Sequence, residues 1–221
     1  MQNEFRLPSQ DKMITFREVT VQDALDLAQL NPKFEEKSTS WWLTNLQDGD
    51  VYPAKLWSQE DRIVGLLYLY FLTQDDVQRR VSYTCQHCGE SHTFSADYGA
   101  LAKNPLNQFD QWPTAQLQDE YQLNPLTGED LEELEMLKLQ DPAPTDDQLR
   151  LQVIAKRLRT EPAQLAKLSL TKYISLMKEA ESKLEEIRHG IDLTVSHICP
   201  TEGLDSQIAL PFRANDFIPR V

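Results

Sequence analysis

Three cysteines are the residues whose type and spacing point most directly to chemistry. Cys85 and Cys88 form a Cys-x-x-Cys motif followed by Gly89, and Cys199 begins a Cys-Pro-x-x-Gly segment that ends at Gly203. Two cysteines separated by two residues on a tight turn can aim both sulfurs at one metal ion, and the glycine after them allows a positive φ. The first segment therefore predicts a zinc knuckle, and the second predicts an incomplete copy of it.

The two cysteine segments repeat each other in register. Residues 81–89 read VSYTCQHCG and residues 195–203 read VSHICPTEG, so valine, serine, cysteine and glycine recur at matching positions. Each segment has the pattern of a strand, a tight turn and a second strand. Since two knuckles complete a tetrahedral site, we expect Cys85, Cys88 and Cys199 to bind one structural Zn²⁺ together.

The fourth ligand stays open at this stage. Glu202 occupies the position that matches Cys88 and is the leading candidate, although a carboxylate is a weaker choice in a thiolate-rich site. His92, four residues after Cys88, and His197, two residues before Cys199, compete with it. A water molecule, or no ligand at all, is the remaining alternative.

Two other interpretations of the cysteines compete with metal binding. One is a degenerate knuckle that keeps its fold without metal. The other is a redox-active Cys-x-x-Cys motif, which is disfavoured because thioredoxin-like motifs lie at a helix start beside a βαβ unit. An odd number of cysteines in a cytosolic protein also argues against a disulfide framework.

Composition narrows the class of protein. Among 221 residues, 40% are apolar and 26% are charged, which is typical of a globular chain. No apolar run is long enough to span a bilayer, and the N-terminus lacks the apolar region of a secretory signal, so we expect a soluble protein made in a cytosol. The formal net charge of −13 disfavours binding to nucleic acid or anionic membranes and suits basic protein partners.

The pattern of strands and helices predicts an α+β fold. Its base is small and strand-rich, with a split zinc-ribbon-like pair of hairpins, and a mainly helical insertion separates them. Helix starts are indicated by capping residues at Thr20, Ser58, Thr127, Thr145 and Ser169. The predicted organisation is 1–98 for the N-terminal strands, helices and first knuckle, 99–126 for an irregular linker, 127–190 for the helical insertion, and 191–221 for the second knuckle and tail, which pack back on the first knuckle.

The remaining candidate residues have simpler interpretations. His189 is expected in the last turn of a helix, where it would interact with the helix dipole. Of the adjacent Trp41 and Trp42, one is expected in the core and the other at an interface. The sequence lacks the common phosphate-binding, zinc-protease and nucleophile-elbow motifs. Without a nucleophile, base and orienting group, no catalytic residue is proposed and the chain is not expected to be an enzyme.

Four segments together carry a family resemblance. They are LPS with ITFREVTVQDAL near the start, EDRIVGLLYLYFLT, YTCQHCGESHTFSADYG, and HGIDLTVSHICPTEGLDSQIALPF followed by Phe217 and Pro219. They resemble the T4-like baseplate hub and hub-assembly proteins of contractile-tailed bacteriophages, over roughly residues 5–219. The chain departs from the pattern at Glu202, where a second-knuckle cysteine is expected.

The resemblance implies a non-enzymatic protein of phage morphogenesis. Such a protein lies in, or helps to build, the tail baseplate hub and contacts hub, tube-initiation or tape-measure proteins. Its implied location is the host cytoplasm during assembly, with the virion tail baseplate as a second location. The alternatives are a zinc-ribbon adaptor or regulator, which Glu90, Glu202 and Asp205 near the knuckles disfavour for nucleic acid, and a redox enzyme that uses Cys85 and Cys88.

Overall fold

The computed structural model describes residues 4–74, 77–118, 121–210 and 212. Over these residues the chain mixes helices with small antiparallel sheets, which confirms the predicted α+β class. None of the described helices combines the length and apolar composition that crossing a membrane requires. The elements in order are β1 (Glu4–Arg6), β2 (Met13–Thr15), α1 (Val21–Ala28), α2 (Glu35–Asn45), α3 (Gln59–Thr73), β3 (Gln78–Thr84), β4 (Ser91–Asp97), α4 (Tyr98–Leu101), β5 (Ala115–Gln116), β6 (Gln122–Leu123), α5 (Gly128–Lys138), α6 (Asp146–Arg157), α7 (Pro162–Leu165), α8 (Leu170–Leu184), β7 (Thr194–Ile198) and β8 (Asp205–Ala209).

Each sheet in the described part of the chain pairs two strands that are consecutive in sequence. The pairs are β1 with β2, β3 with β4, β5 with β6, and β7 with β8, all antiparallel. The sheets of the described residues therefore close local hairpins. Isolated bridges, such as Ser58 with Thr127 and Pro105 with Ile191, and the packing of side chains bring distant parts of the chain together.

Helix starts follow the local sequence signals. Thr20, Ser58, Thr127 and Thr145 each form a capping box with the residue three positions later. Ser169 caps α8 through a hydrogen bond from the Lys172 N–H. Each such cap satisfies backbone donors that the helix leaves open and contributes about 1 kcal/mol, so the sequence predictions of these starts are confirmed.

One hydrophobic core joins the N-terminal strands, α2, α3 and both long hairpins. Fully buried Trp42 and Trp57 lie at its centre, and half-buried Trp41 packs against the same group. Val81 of β3 and Val195 of β7 both contact this core. The two cysteine hairpins thus lie on one core although the helical region separates them in sequence.

A second core lies in the helical region. It collects buried side chains from α6, α7 and α8, together with Leu117 and Leu123 from the segment 99–126. That segment, predicted as an irregular linker, also contains β5, β6 and all of α4 except its first residue, Tyr98. Helix α5 packs against α2 and α6, so it bridges the two cores. The domain boundaries given above stay a prediction.

Candidate metal centre

The first cysteine turn follows directly from β3. The Cys85 N–H donates to the Glu90 carbonyl at 2.9 Å, and the Gly89 N–H donates to the Cys85 carbonyl at 2.9 Å. Gly89 has a φ of +74°, a backbone conformation in which a residue with a side chain would be strained. These bonds fold the backbone tightly around Cys85 and Cys88, so both sulfurs project from one turn.

The second turn repeats this backbone geometry. The Cys199 N–H donates to the Leu204 carbonyl at 2.8 Å, and the Gly203 N–H donates to the Cys199 carbonyl at 2.8 Å. Gly203 has a φ of +70°. The sequence repeat therefore corresponds to a repeated turn, as predicted.

Four side chains from the two hairpins converge on one point. The potential ligand atoms of Cys85, Cys88, His92 and Cys199 all lie within 4.8 Å of one another. The Cys88 and Cys199 sulfurs are 3.7 Å apart. His92 Nε2 is 3.1 Å from the Cys88 sulfur and 3.9 Å from that of Cys199.

These distances fit the coordination shell of a single ion. With Zn–S bonds of about 2.3 Å, two sulfurs of a tetrahedral zinc site are separated by about 3.8 Å. Three sulfurs and one imidazole are also a donor set that soft and borderline divalent metals prefer. The group could therefore hold a metal ion such as Zn²⁺.

The fourth member of the group corrects the leading prediction. His92, one of the alternatives, lies in it, whereas Glu202 is exposed on the second turn and lies outside it. The reason is strand register. His92 pairs with Tyr83 across the hairpin and lies on the same face of β4 as Phe94 and Ala96, which contact the first core, and this register points its ring toward the sulfurs.

His197, the other alternative, packs between the hairpins instead of joining the group. Its ring stacks on Phe94 with centroids 4.6 Å apart and meets the Tyr83 ring edge-on at 5.5 Å. Its Nε2 is buried without a hydrogen-bond partner among the described residues. Aromatic packing, and not ligation, is thus the contact that His197 makes.

Two polar contacts also cross between the turns. His87 Nε2 donates to the Asp205 carbonyl at 3.1 Å, and the Thr201 hydroxyl donates to the Glu90 carboxylate at 3.1 Å. The structure therefore confirms that the Cys85 turn lies beside the Cys199 turn. Both contacts are exposed, so each contributes little against competition from water.

The surroundings of the Cys85 and Cys88 sulfurs shift their pKa values in opposite directions. Backbone N–H groups of Cys88 and His87 hydrogen-bond the Cys85 sulfur and lower its pKa to about 7 despite burial. For Cys88, the Glu90 N–H acts in the same direction, but burial and the neighbouring thiols outweigh it and raise the pKa. Three crowded thiolates repel one another, so a bound cation would stabilise them together.

Comparison with protein-family models, with curated proteins and with solved structures found no match to this chain.

His189, expected as a helix-dipole partner, has a different role. Helix α8 ends at Leu184, and His189 lies beyond it, 1% exposed. Its Nδ1 donates to the Ile187 carbonyl at 2.7 Å, and its Nε2 is 2.7 Å from the Ser58 hydroxyl. This bond ties the end of the helical region to the start of α3. Ser58 is fully buried, so the pair is enclosed by the protein.

Proposed function

We propose that this chain is a non-enzymatic structural protein in which one Zn²⁺ closes a zinc-ribbon-like pair of hairpins. Cys85, Cys88 and His92 would come from the first hairpin and Cys199 from the second. The observation that carries the proposal is the convergence of these four ligand atoms within 4.8 Å. Bound there, the ion would supply no catalysis; it would contribute folding free energy, which reaches roughly 10 kcal/mol in zinc-finger peptides.

The proposed ion would link two turns that are far apart in the sequence. Cys199 follows Cys88 by 111 residues. The region between them contains the second core, and its ends return to the first core beside the turns. A link between the turns would hold the base of this region, where no sheet formed by the described residues joins the two hairpins.

We further propose that the protein acts in the tail baseplate of a contractile-tailed phage, in the hub or in hub assembly. Its partners would be hub, tube-initiation or tape-measure proteins. Two features support a role in protein contacts, in addition to the four-segment resemblance. The first is the net charge of −13, which favours basic partners.

The second feature is an apolar groove on the helical region. It has a volume of about 1070 Å³ and is formed by α6, α7 and α8. Leu168, Tyr173 and Met177 line it, and Leu170 at its rim is 74% exposed. Apolar side chains left open in this way are typical of surfaces that bind another protein.

Elemental analysis tests the metal proposal directly. We expect about one zinc per chain in protein purified without added metal, and a large loss of zinc in Cys199→Ser and His92→Ala. Glu202→Gln is the matched control, because its side chain is exposed on the same turn, and it should retain zinc. Absence of zinc from the native chain, or zinc loss only in the Glu202 variant, would contradict the proposed ligand set.

Alkylation separates this proposal from the redox alternative. Metal-bound thiolates should resist N-ethylmaleimide until a chelator is added. A redox-active Cys85–Cys88 pair would react at once after reduction and would form a disulfide again when the reductant is removed. Rapid alkylation that is independent of chelator would favour the redox alternative.

Binding to defined tail proteins tests the assembly proposal. The purified chain should form a complex on size-exclusion chromatography with a hub or tape-measure protein encoded beside it. Leu170→Lys together with Tyr173→Lys should abolish that complex if the groove is the contact. Leu204→Lys, which changes another exposed apolar residue, is the control. No complex with any of the neighbouring tail proteins would count against a baseplate role.

A further inference from the structure

The three cysteine residues of the centre differ in their exposure to solvent. Cys85 and Cys199 are 2% and 1% exposed, whereas Cys88 is partly exposed. A small oxidant that approaches the centre from solvent therefore meets Cys88 first. Susceptibility of cysteine to oxidation follows this accessibility.

The two buried sulfurs are not equally free to react with an oxidised Cys88. Cys85 belongs to the same turn, which two backbone hydrogen bonds close, and its sulfur accepts the His87 N–H at 3.4 Å. Cys199 belongs to the other hairpin, and its sulfur is 3.7 Å from that of Cys88. A disulfide requires about 2.05 Å, so the sulfurs must approach by roughly 1.7 Å.

The second hairpin can supply that approach more easily than the first turn. Near the centre, the hydrogen bonds between the turns are the exposed His87–Asp205 and Thr201–Glu90 bonds, and the His197 ring stacks on Phe94 beside them. A small sliding shift of one hairpin against the other leaves the internal hydrogen bonds of each turn intact. A Cys85–Cys88 bond would instead form within one turn, where the closing hydrogen bonds and the His87 N–H bond to Cys85 constrain the two sulfurs.

We propose that Cys88 is a modification site for hydroperoxides, and that its oxidation produces a Cys88–Cys199 disulfide that replaces the metal as the link between the hairpins. The loss of metal in this inference rests on the proposed zinc site. The choice of cysteines rests on exposure and on the distance between sulfurs alone.

The chemistry balances in two steps. The Cys88 sulfur, a thiolate in the metal-bound state, attacks one oxygen of the peroxide. An S–O bond forms, the O–O bond breaks, and the leaving hydroxide takes a proton from solvent to become water. The Cys199 thiolate then attacks the Cys88 sulfur, an S–S bond forms and the S–O bond breaks, and the second hydroxide takes another solvent proton and leaves as water. Two thiolates are oxidised to one disulfide, and hydrogen peroxide is reduced to two waters.

The product differs from the metal-bound state in what it releases and what it keeps. Removing two of four ligands leaves only Cys85 and His92, so the ion should dissociate. The hairpins remain joined covalently across the same 111 residues. Oxidation would then free one thiol, Cys85, without opening the base of the fold.

Disulfide mapping on the full chain tests this inference. The zinc-loaded protein is treated with equimolar hydrogen peroxide, and the free thiols are then blocked with N-ethylmaleimide. Tryptic peptides are analysed by mass spectrometry. A chromogenic chelator measures the zinc that is released. Residues 81–103 form one peptide that contains both Cys85 and Cys88, because no lysine or arginine lies between Val81 and Ala102. We expect this peptide joined to the Cys199 peptide, with the alkyl group on Cys85, and release of zinc in step with the cross-link.

Other products would overturn the inference. A Cys85–Cys88 disulfide would leave the two peptides separate, with Cys199 alkylated. A Cys85–Cys199 bond would place the alkyl group on Cys88, and a sulfinic acid at Cys88 without a cross-link would show that no thiol resolves the oxidised sulfur. Each of these results excludes the proposed product.

Cysteine variants and metal-free protein distinguish failure of the oxidation inference from failure of the proposed zinc site. Cys85→Ser should still form the cross-link, and Cys88→Ser should not. The same mapping is performed on native protein after chelation, where the Cys88–Cys199 bond is again expected. Native protein without zinc would defeat the proposed function, while the mapping would still decide the site of oxidation.

Discussion

The two cysteine hairpins share a backbone design but contribute unequally to the centre. The positions of Cys85, Cys88 and His92 in the first hairpin correspond to Cys199, Glu202 and Ser206 in the second. The first hairpin therefore supplies three candidate ligands and the second supplies one. The turn geometry survives in both, because backbone hydrogen bonds and a glycine maintain it whether or not a ligand is present.

In the second hairpin, residues beside the ligand positions make packing contacts in place of the missing candidate ligands. Tyr83 corresponds to His197, and the two rings meet between the hairpins, with Phe94 stacked on His197. Ser206 lies opposite His197 with its hydroxyl buried. The second hairpin therefore contributes one candidate sulfur ligand and one ring to the contact between the hairpins, whereas the first contributes three candidate ligands and two rings.

Removing the metal that is proposed to join the two hairpins should have the largest effect on stability. A chelator is expected to lower the free energy of unfolding by several kcal/mol, because binding of a structural metal is coupled to folding. Denaturant titrations with and without chelator, followed by tryptophan fluorescence, measure it. Helical circular dichroism should fall less, because the second core contains no ligand. An unchanged unfolding midpoint would show that packing alone closes the hairpins.

The second-largest effect is expected from a substitution that makes the first hairpin resemble the second, which should weaken metal binding. His92→Ser copies the residue found at the matching position, and it leaves a three-sulfur site with one open coordination position. We expect a loss of zinc affinity of more than roughly tenfold, because removing a direct ligand should cost at least as much as removing an outer-shell partner. Competition with a chromogenic chelator measures the affinity. Ser206→Ala, at the matching position of the other hairpin, should leave it unchanged, and equal losses in both variants would remove the proposed asymmetry.

Truncating the stacked ring tests the packing contribution. Phe94→Ala removes the contacts with His197 and Tyr83 and should destabilise the protein by about 2 kcal/mol, less than for a fully buried ring because Phe94 is only half-buried. Ile208→Val, at the corresponding position of the second hairpin, should cost about 1 kcal/mol. Both values come from chemical denaturation of the zinc-loaded protein. A smaller loss for Phe94→Ala than for Ile208→Val would show that the stacking does not hold the hairpins together.

The smallest effect expected is a pH dependence in the metal-free protein. The pKa of Cys85 is lowered to about 7 by backbone N–H groups, whereas that of Cys88 is raised. A lowered thiol pKa favours folding above the pKa of the unfolded chain, and that contribution is lost as the pH falls through about 7. Thiolate absorbance at 240 nm should show a first step near pH 7 that Cys85→Ser removes and Cys88→Ser retains. A first step that Cys88→Ser removes would reverse the assignment.

Strand register explains where prediction of the site failed. Equivalence with Cys88 made Glu202 the leading fourth ligand, but equivalence in sequence does not aim a side chain at a shared point. His92 has a recognisable signal: at two-residue spacing it shares one strand face with Phe94 and Ala96, which contact the core. His189 was misjudged because α8 ends before it, so the residue enters the core and bonds Ser58.

Local signals in the sequence by themselves determined the α+β elements, the capped helix starts and the two matching turns. Each of these depends on hydrogen bonds between residues a few positions apart, such as Gly89 with Cys85 or Asp61 with Ser58. Only the tertiary structure decided that His92 joins the cysteines and that His197 does not. No strand pairing connects the two hairpins among the described residues, so their relative position depends on how both pack against the first core and on the side-chain contacts between them.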